Sequence, residues 1–201
     1  MTSNLSRSLL IIILIALISC SPKEIPETNL VIKEGLRFEN SSQTPFSGAA
    51  VSYYENGRLK SRANYRDGEP HGILEEFFES GQLFRKLVFK NGQQHGLAEV
   101  YDLTGELLLT IDYENGKSNG FIKNYHKNGR LRAQVSVANG KQHGLAEWFN
   151  DEGQMISEMS YKDGKQHGLY THYLKDGKQH GVTCYQDDIE VDLSQCDDSN
   201  R

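Results

Sequence analysis

Five of the seven histidines in this 201-residue chain precede a glycine: His71-Gly72, His95-Gly96, His143-Gly144, His167-Gly168 and His180-Gly181. Imidazole is the side chain best suited to proton transfer near neutral pH and a frequent metal ligand, so the pairing raises a metal centre or a set of general bases. The spacing weighs against a shared ion. Four of the pairs fall on a 24-residue grid, with Asn119-Gly120 at the vacant place. If each period is a hairpin, equivalent residues stand two strands or ~9.5 Å apart, whereas each zinc ligand must approach within ~2.1 Å of the ion. Only His167 and His180, drawn together by a shortened last copy with His172 beside them, could sit closer. Asn119 can make the same kind of hydrogen bond as imidazole, so the slot reads as structural, bonding nearby backbone at a turn. No metal ligand is assigned.

The carboxylates give no better case for catalysis. Glu75, Glu99 and Glu147 recur at one repeat position, but Val51, Lys123 and Thr171 fill the same place in other copies. An acid/base pair is therefore not built into the period. There is no nucleophile elbow, phosphate loop or zinc-protease helix motif. No catalytic residue and no cofactor are assigned. Cys184 and Cys196 lie near the C-terminus. In an oxidising compartment they would staple that end by a disulfide; the alternative is two free thiols.

The elements that must carry these residues are written in glycine. Of 19 glycines, 18 fall into repeat slots: six from Gly48 to Gly168, six from Gly57 to Gly177, five from Gly68 to Gly164, and Gly181 closing a shortened last copy. Self-similarity at fixed period sets the architecture before any local feature does. After the second series, apolar residues recur at even spacing, as in Leu59, Ala63 and Tyr65 or Leu107, Ile111 and Tyr113, with polar residues between. That is strand period. Pairs such as Asp67-Gly68, Asn91-Gly92 and Asn128-Gly129 tolerate the positive φ of tight hairpin turns. The expected fold is all-β, an elongated antiparallel meander of 24-residue hairpin repeats forming a single sheet.

The pattern aromatic-x-x-x-Gly-x-Leu, followed by an aromatic and Asp/Asn-Gly-Lys-x-His-Gly, resembles the MORN-variant repeat of bacterial proteins, among them lipoproteins and YwqK-type antitoxins. The resemblance covers about residues 45–183, beginning at Pro45-Phe46-Ser47-Gly48. It implies a scaffold. Activity would have to come from sites placed on it.

The N-terminus reads as an address. Arg7 precedes the apolar run Leu9 to Ile18, too short to span ~30 Å of hydrocarbon, and the small residue after it completes an export signal. Leu17-Ile18-Ser19-Cys20 resembles the lipobox of bacterial lipoproteins, which implies cleavage after residue 19 and acylation of Cys20. Ser21 after the cysteine implies, in a two-membrane host, the outer membrane facing the periplasm. The organisation expected is a signal peptide (1–19), a lipidated tether with a possible short strand (20–44), the array (45–183) and a cap with an acidic tail (184–201). Cleavage removes Arg7 and no acid, so the net charge moves from −5 to −6. That balance lacks the basic excess that nucleic-acid binding needs.

Together these features describe a non-enzymatic, membrane-anchored protein of the cell envelope that presents a β surface to a protein partner, a toxin or another envelope protein. The polar strand positions vary between copies: Arg58, Lys60, Arg62 and Arg66 make the first basic, and Glu106, Asp112 and Glu114 make the third acidic. The antitoxin implied by the resemblance fits an exported chain only as immunity to a toxin acting in the envelope. The rival readings are an envelope hydrolase or metal-dependent enzyme using the His-Gly slots, and a lipid- or cell-wall-binding scaffold.

Overall fold

The computed structural model describes residues 23–196. Its array is built from β4 (Gly48–Tyr53), β5 (Leu59–Arg66), β6 (Glu69–Phe77), β7 (Leu83–Lys90), a two-residue piece β8 (Gln93–Gln94), β9 (Gly96–Tyr101), β10 (Leu107–Glu114), β11 (Lys117–Tyr125), β12 (Leu131–Ala138), β13 (Lys141–Phe149), β14 (Met155–Lys162), β15 (Lys165–Tyr173), β16 (Gln179–Gln186) and β17 (Ile189–Val191). Each strand pairs antiparallel with the next, save that β8 pairs only with β7 and β9 follows β7 in the ladder, so the array is a meander in one sheet. This is the architecture the 24-residue period predicts.

Two kinds of turn alternate along the two edges. On one edge, Asp67-Gly68, Asn91-Gly92, Asn115-Gly116, Asn139-Gly140 and Asp163-Gly164 all have positive φ at both residues, the two-residue turn that matches strand twist. On the other, only the glycine is left-handed: the amide of Gly57 donates to Tyr54 O (2.9 Å) and that of Tyr54 to Arg58 O (2.8 Å). Asn56 and Asn128 therefore serve a longer turn than the tight pair expected of them. Turns of successive copies are also tied together. Gly68, Gly92, Gly116, Gly140 and Gly164 each donate to a carbonyl 22 residues earlier, at 2.8–3.0 Å. On the opposite edge Tyr54 Oη donates to Phe77 O (2.6 Å).

The last copy is complete, a correction to the shortened copy. β16 spans the full second strand and pairs with β15 from Gly168↔Tyr185 to Tyr173↔Gln179. A seventh copy even begins: Asp187 and Asp188 take positive φ at the next turn, where Asp188 Oδ1 accepts from the Gln166 amide at 2.8 Å. It fails at Asp192. The equivalent residue in the preceding copies is a glycine of positive φ, a conformation a side chain resists, and Asp192 instead stays at φ −61° and caps the short 3-10 helix Leu193–Gln195. The array thus runs past 183, and Cys184 belongs to its last full strand rather than to a cap.

The described part of the expected tether is folded. β1 (Glu24–Pro26) pairs parallel with β4, and β2 (Leu30–Lys33) pairs with β3 (Leu36–Glu39) as a separate hairpin. Ile25, Phe46 and Ala50 form a buried cluster against which Leu30 and Tyr65 pack. The apolar run Leu30-Val31-Ile32 and the alternation Leu36-Arg37-Phe38 supplied the strands, and burying Ile25 and Phe46 supplies the reason they dock.

Candidate functional site

Side chains alternate between sheet faces and cross-strand partners share a face, so the register sorts the residues into rows. One face carries the apolar row Ile111, Ile122, Val135, Ala146, Met159 and Tyr170, each opposite the next. Ala146 and Met159 are almost wholly buried. Beside this row, Phe89, Tyr113 and Tyr161 each face a glycine of a neighbouring strand, Gly72, Gly96 and Gly144.

The other face carries a polar row from β5 to β15: Arg62, Glu75, Lys86, Glu99, Thr110, Lys123, Gln134, Glu147, Glu158 and Thr171 are successive cross-strand partners, with Val51 and Val182 at the two ends. Its first half is self-neutralising. Arg62 pairs with Glu24, and Lys86 Nζ lies 3.3 Å from Glu99. The second half is not. Glu147 faces Glu158 directly, and among the described residues neither has an ion-pair partner; Gln134 Nε2 donates to Glu147 (3.1 Å) and Tyr173 Oη to Glu158 (2.6 Å). Like charges placed opposite each other are destabilising. Flanking the row are Ile73, Leu97, Phe121 and Leu145, one per copy and all exposed. They share a face with the charged row because Ile73 and Glu75, Leu97 and Glu99, and Leu145 and Glu147 stand two residues apart in regularly paired stretches.

Bulges hold the His-Gly slots, which corrects their placement in turns. Between Tyr65↔Pro70 and Ala63↔Leu74, His71-Gly72-Ile73 lie opposite Asn64 alone. Gly72, Gly96, Gly120, Gly144 and Gly168 all have positive φ there. From the bulge the preceding side chain reaches the turn of the next copy. The Asn91 amide donates to His71 Nδ1 and the Asn139 amide to Asn119 Oδ1, each at 3.4 Å; His143 and His167 Nδ1 lie 3.5 Å from Asp163 and Asp187. Imidazole and amide do one job, linking copies, and His71 does it with Nδ1 as acceptor. His95 Nδ1 and His167 Nδ1 are buried without a hydrogen-bond partner among the described residues. His180-Gly181 is not a member of the slot: both lie inside β16, where Gly181 pairs with His172. His172 packs instead on Tyr170, ring centroids 4.2 Å apart. Among the described residues no three His, Cys, Asp or Glu side chains converge as a metal site.

Cys184 and Cys196 are joined, with Cα atoms 5.8 Å apart. Closing a loop of this size contributes ~3 kcal/mol by chain entropy. Reduction is therefore expected to lower Tm by about 6–12 °C. Hydrogen exchange should show the loss first at β17, and unchanged exchange there after complete reduction would contradict a stapling role. Cys20 lies outside the described residues.

Perturbed acids belong to turns rather than to a reaction centre. The Thr104 hydroxyl, donating to Asp102 at 2.6 Å, holds that carboxyl below its usual range, helped by the amides of Glu106 and Thr104. Such a group stabilises fully above the unfolded carboxylate pKa of ~3.9, and the contribution is lost as pH falls through the lower folded value. Tm of the wild type should drop on acidification in that window, and Asp102→Asn should flatten the drop; equal slopes would count against the turn. Beside the polar row, burial pushes the Tyr101 phenol up, with the charge of Glu99 adding to it.

Residues 47–67, 70–91 and 142–163 match the family model described as MORN repeat variant. Three of the hairpin copies thus match the MORN repeat variant. The matched stretches are the hairpin from β4 to β5, that from β6 to β7, and that from β13 to β14, while the intervening copies keep the same strands and register. Search among curated proteins finds no match to the chain. A repeat sheet with one face carrying an apolar row and the other a charged row suits an interaction scaffold.

Proposed function

We propose that this chain is a non-enzymatic lipoprotein of the bacterial envelope, anchored through acylated Cys20, whose polar sheet face binds a protein. The observation that carries this reading is the facing pair Glu147 and Glu158, which costs stability where it stands and has no basic neighbour in ion-pair range. A partner presenting lysines or arginines would relieve that repulsion, and exposed Phe121 and Leu145 alongside would add apolar contact. The array's likeness to antitoxin-associated repeats supports a sharper form, immunity to a toxin that acts in the envelope. In a two-membrane host the reading places it on the outer membrane, facing the periplasm.

The test is capture from envelope extracts by wild type and by Glu147→Gln/Glu158→Gln. Glutamine keeps both hydrogen bonds and removes the repulsion, so Tm should stay level or rise by about 1–3 °C. A protein retained by wild type should be lost from the variant. Equal capture by both would remove this face as the binding surface.

A further inference from the structure

The folded body begins almost at the anchor. The Ala49 amide donates to Lys23 O at 2.7 Å, Lys23 pairs with Glu39 of β3, and Ile25 is buried two residues on. Only Ser21 and Pro22 stand between Cys20 and this fixed point. Three residue steps reach at most ~11 Å, while the headgroup layer alone is ~5–7 Å thick on each side of the bilayer. No slack remains for a tether. The hairpin beside Lys23 also exposes apolar side chains, one on each face: Ile32, 62% exposed, on one, and Val31, 37% exposed, with Lys33 on the other.

We propose that the β2–β3 hairpin and β1 form a lipid-facing surface, held against the headgroups by the short link to Cys20, so that the array stands with its first copy on the membrane. This rests on the lipoprotein reading above. Ile32 enters the interface, where an apolar side chain gains, while Val31 and Lys33 lie on the other face of the hairpin. The Glu147–Glu158 face is then carried well away from the bilayer: β4 and β13 are eight strand spacings apart in the sheet, ~38 Å along its contour. A partner of that face would have to be a protein reaching toward the membrane rather than the membrane itself.

Trp148 is the single tryptophan and lies in β13, so it reports the distal position. Full-length processed protein is reconstituted in phosphatidylethanolamine/phosphatidylglycerol vesicles containing lipids brominated near the headgroup end of the chains. Trp148 emission should be unaffected, whereas Ile32→Trp in a Trp148→Phe background should be strongly quenched. Inserting a 20-residue Gly/Ser linker after Ser21 (about 20 residues spans ~25 Å on average) should abolish that quenching. No quenching at Ile32→Trp, with acyl chains confirmed by intact mass, would overturn the proposal, as would quenching that survives the linker. An N-terminus without acyl chains would instead sink the anchoring reading, and this inference with it.

Discussion

Gly68→Val is expected to lower stability by about 2–5 kcal/mol and to release the N-terminal hairpin from the array. Gly68 sits at φ +82°, and a Cβ there would stand 2.9 Å from Leu36 Cβ and 3.0 Å from Arg37 O. The left-handed conformation costs a non-glycine residue about 1–2 kcal/mol, and forcing a side chain into a filled space adds about 1–3. Backbone cannot yield easily at this point, because the Arg37 amide donates to Gly68 O (2.9 Å) and the Gly68 amide to Phe46 O (2.9 Å). Gly57→Ala is the control. It shares the positive φ but meets nothing within 4 Å, so only the conformational part should appear. Thermal melts of the two variants check the difference; equal losses would show that the hairpin does not press on this turn.

Met159→Ala should cost about 2–5 kcal/mol, or about 4–20 °C in Tm. Met159 is 1% exposed, lying between Ala146 and Tyr170 in the apolar row. Its neighbour explains why the cavity would persist. Ala146 is wholly buried and has no longer side chain to move into the gap. Because each copy of a repeat array contacts mainly its neighbours, the damage should concentrate in the fifth and sixth copies. Hydrogen exchange would show β13–β15 opening first while β5 and β6 keep their protection, and uniform loss along the sheet would contradict a row packed copy by copy.

The period, the strand type and one set of turns were legible because glycine and apolar residues repeat at fixed places, and positive φ and alternation leave few other solutions. The ends were harder to read. His180-Gly181 imitates the repeat dipeptide, yet β16 continues through it, because ladder pairing with β15 outweighs a local likeness. The true stop is Asp192, where a glycine is missing. Residues 20–44 looked like a tether since their prolines and polar runs hide Ile25, whose burial depends on Phe46 and Ala50 farther along the chain. Face assignment was out of reach for a similar reason. The bulge at each His-Gly pair inserts residues that shift alternation, so Ala98 and Ala146 turn out buried while the larger Leu97 and Leu145, one place earlier, stand exposed. Tyr65 and Tyr113, by contrast, stand out from their even spacing alone.

Unrelieved charge at Glu147 and Glu158 matters to function only if something binds there. Carbodiimide footprinting of carboxylates, read residue by residue in the protein alone and with its captured partner, addresses this directly. The binding-face account predicts that Glu147 and Glu158 become protected while Asp163 and Asp187, at the turn edge, label as before. Unchanged labelling of Glu147 and Glu158 in a saturated complex, with protection at the turns instead, would contradict it.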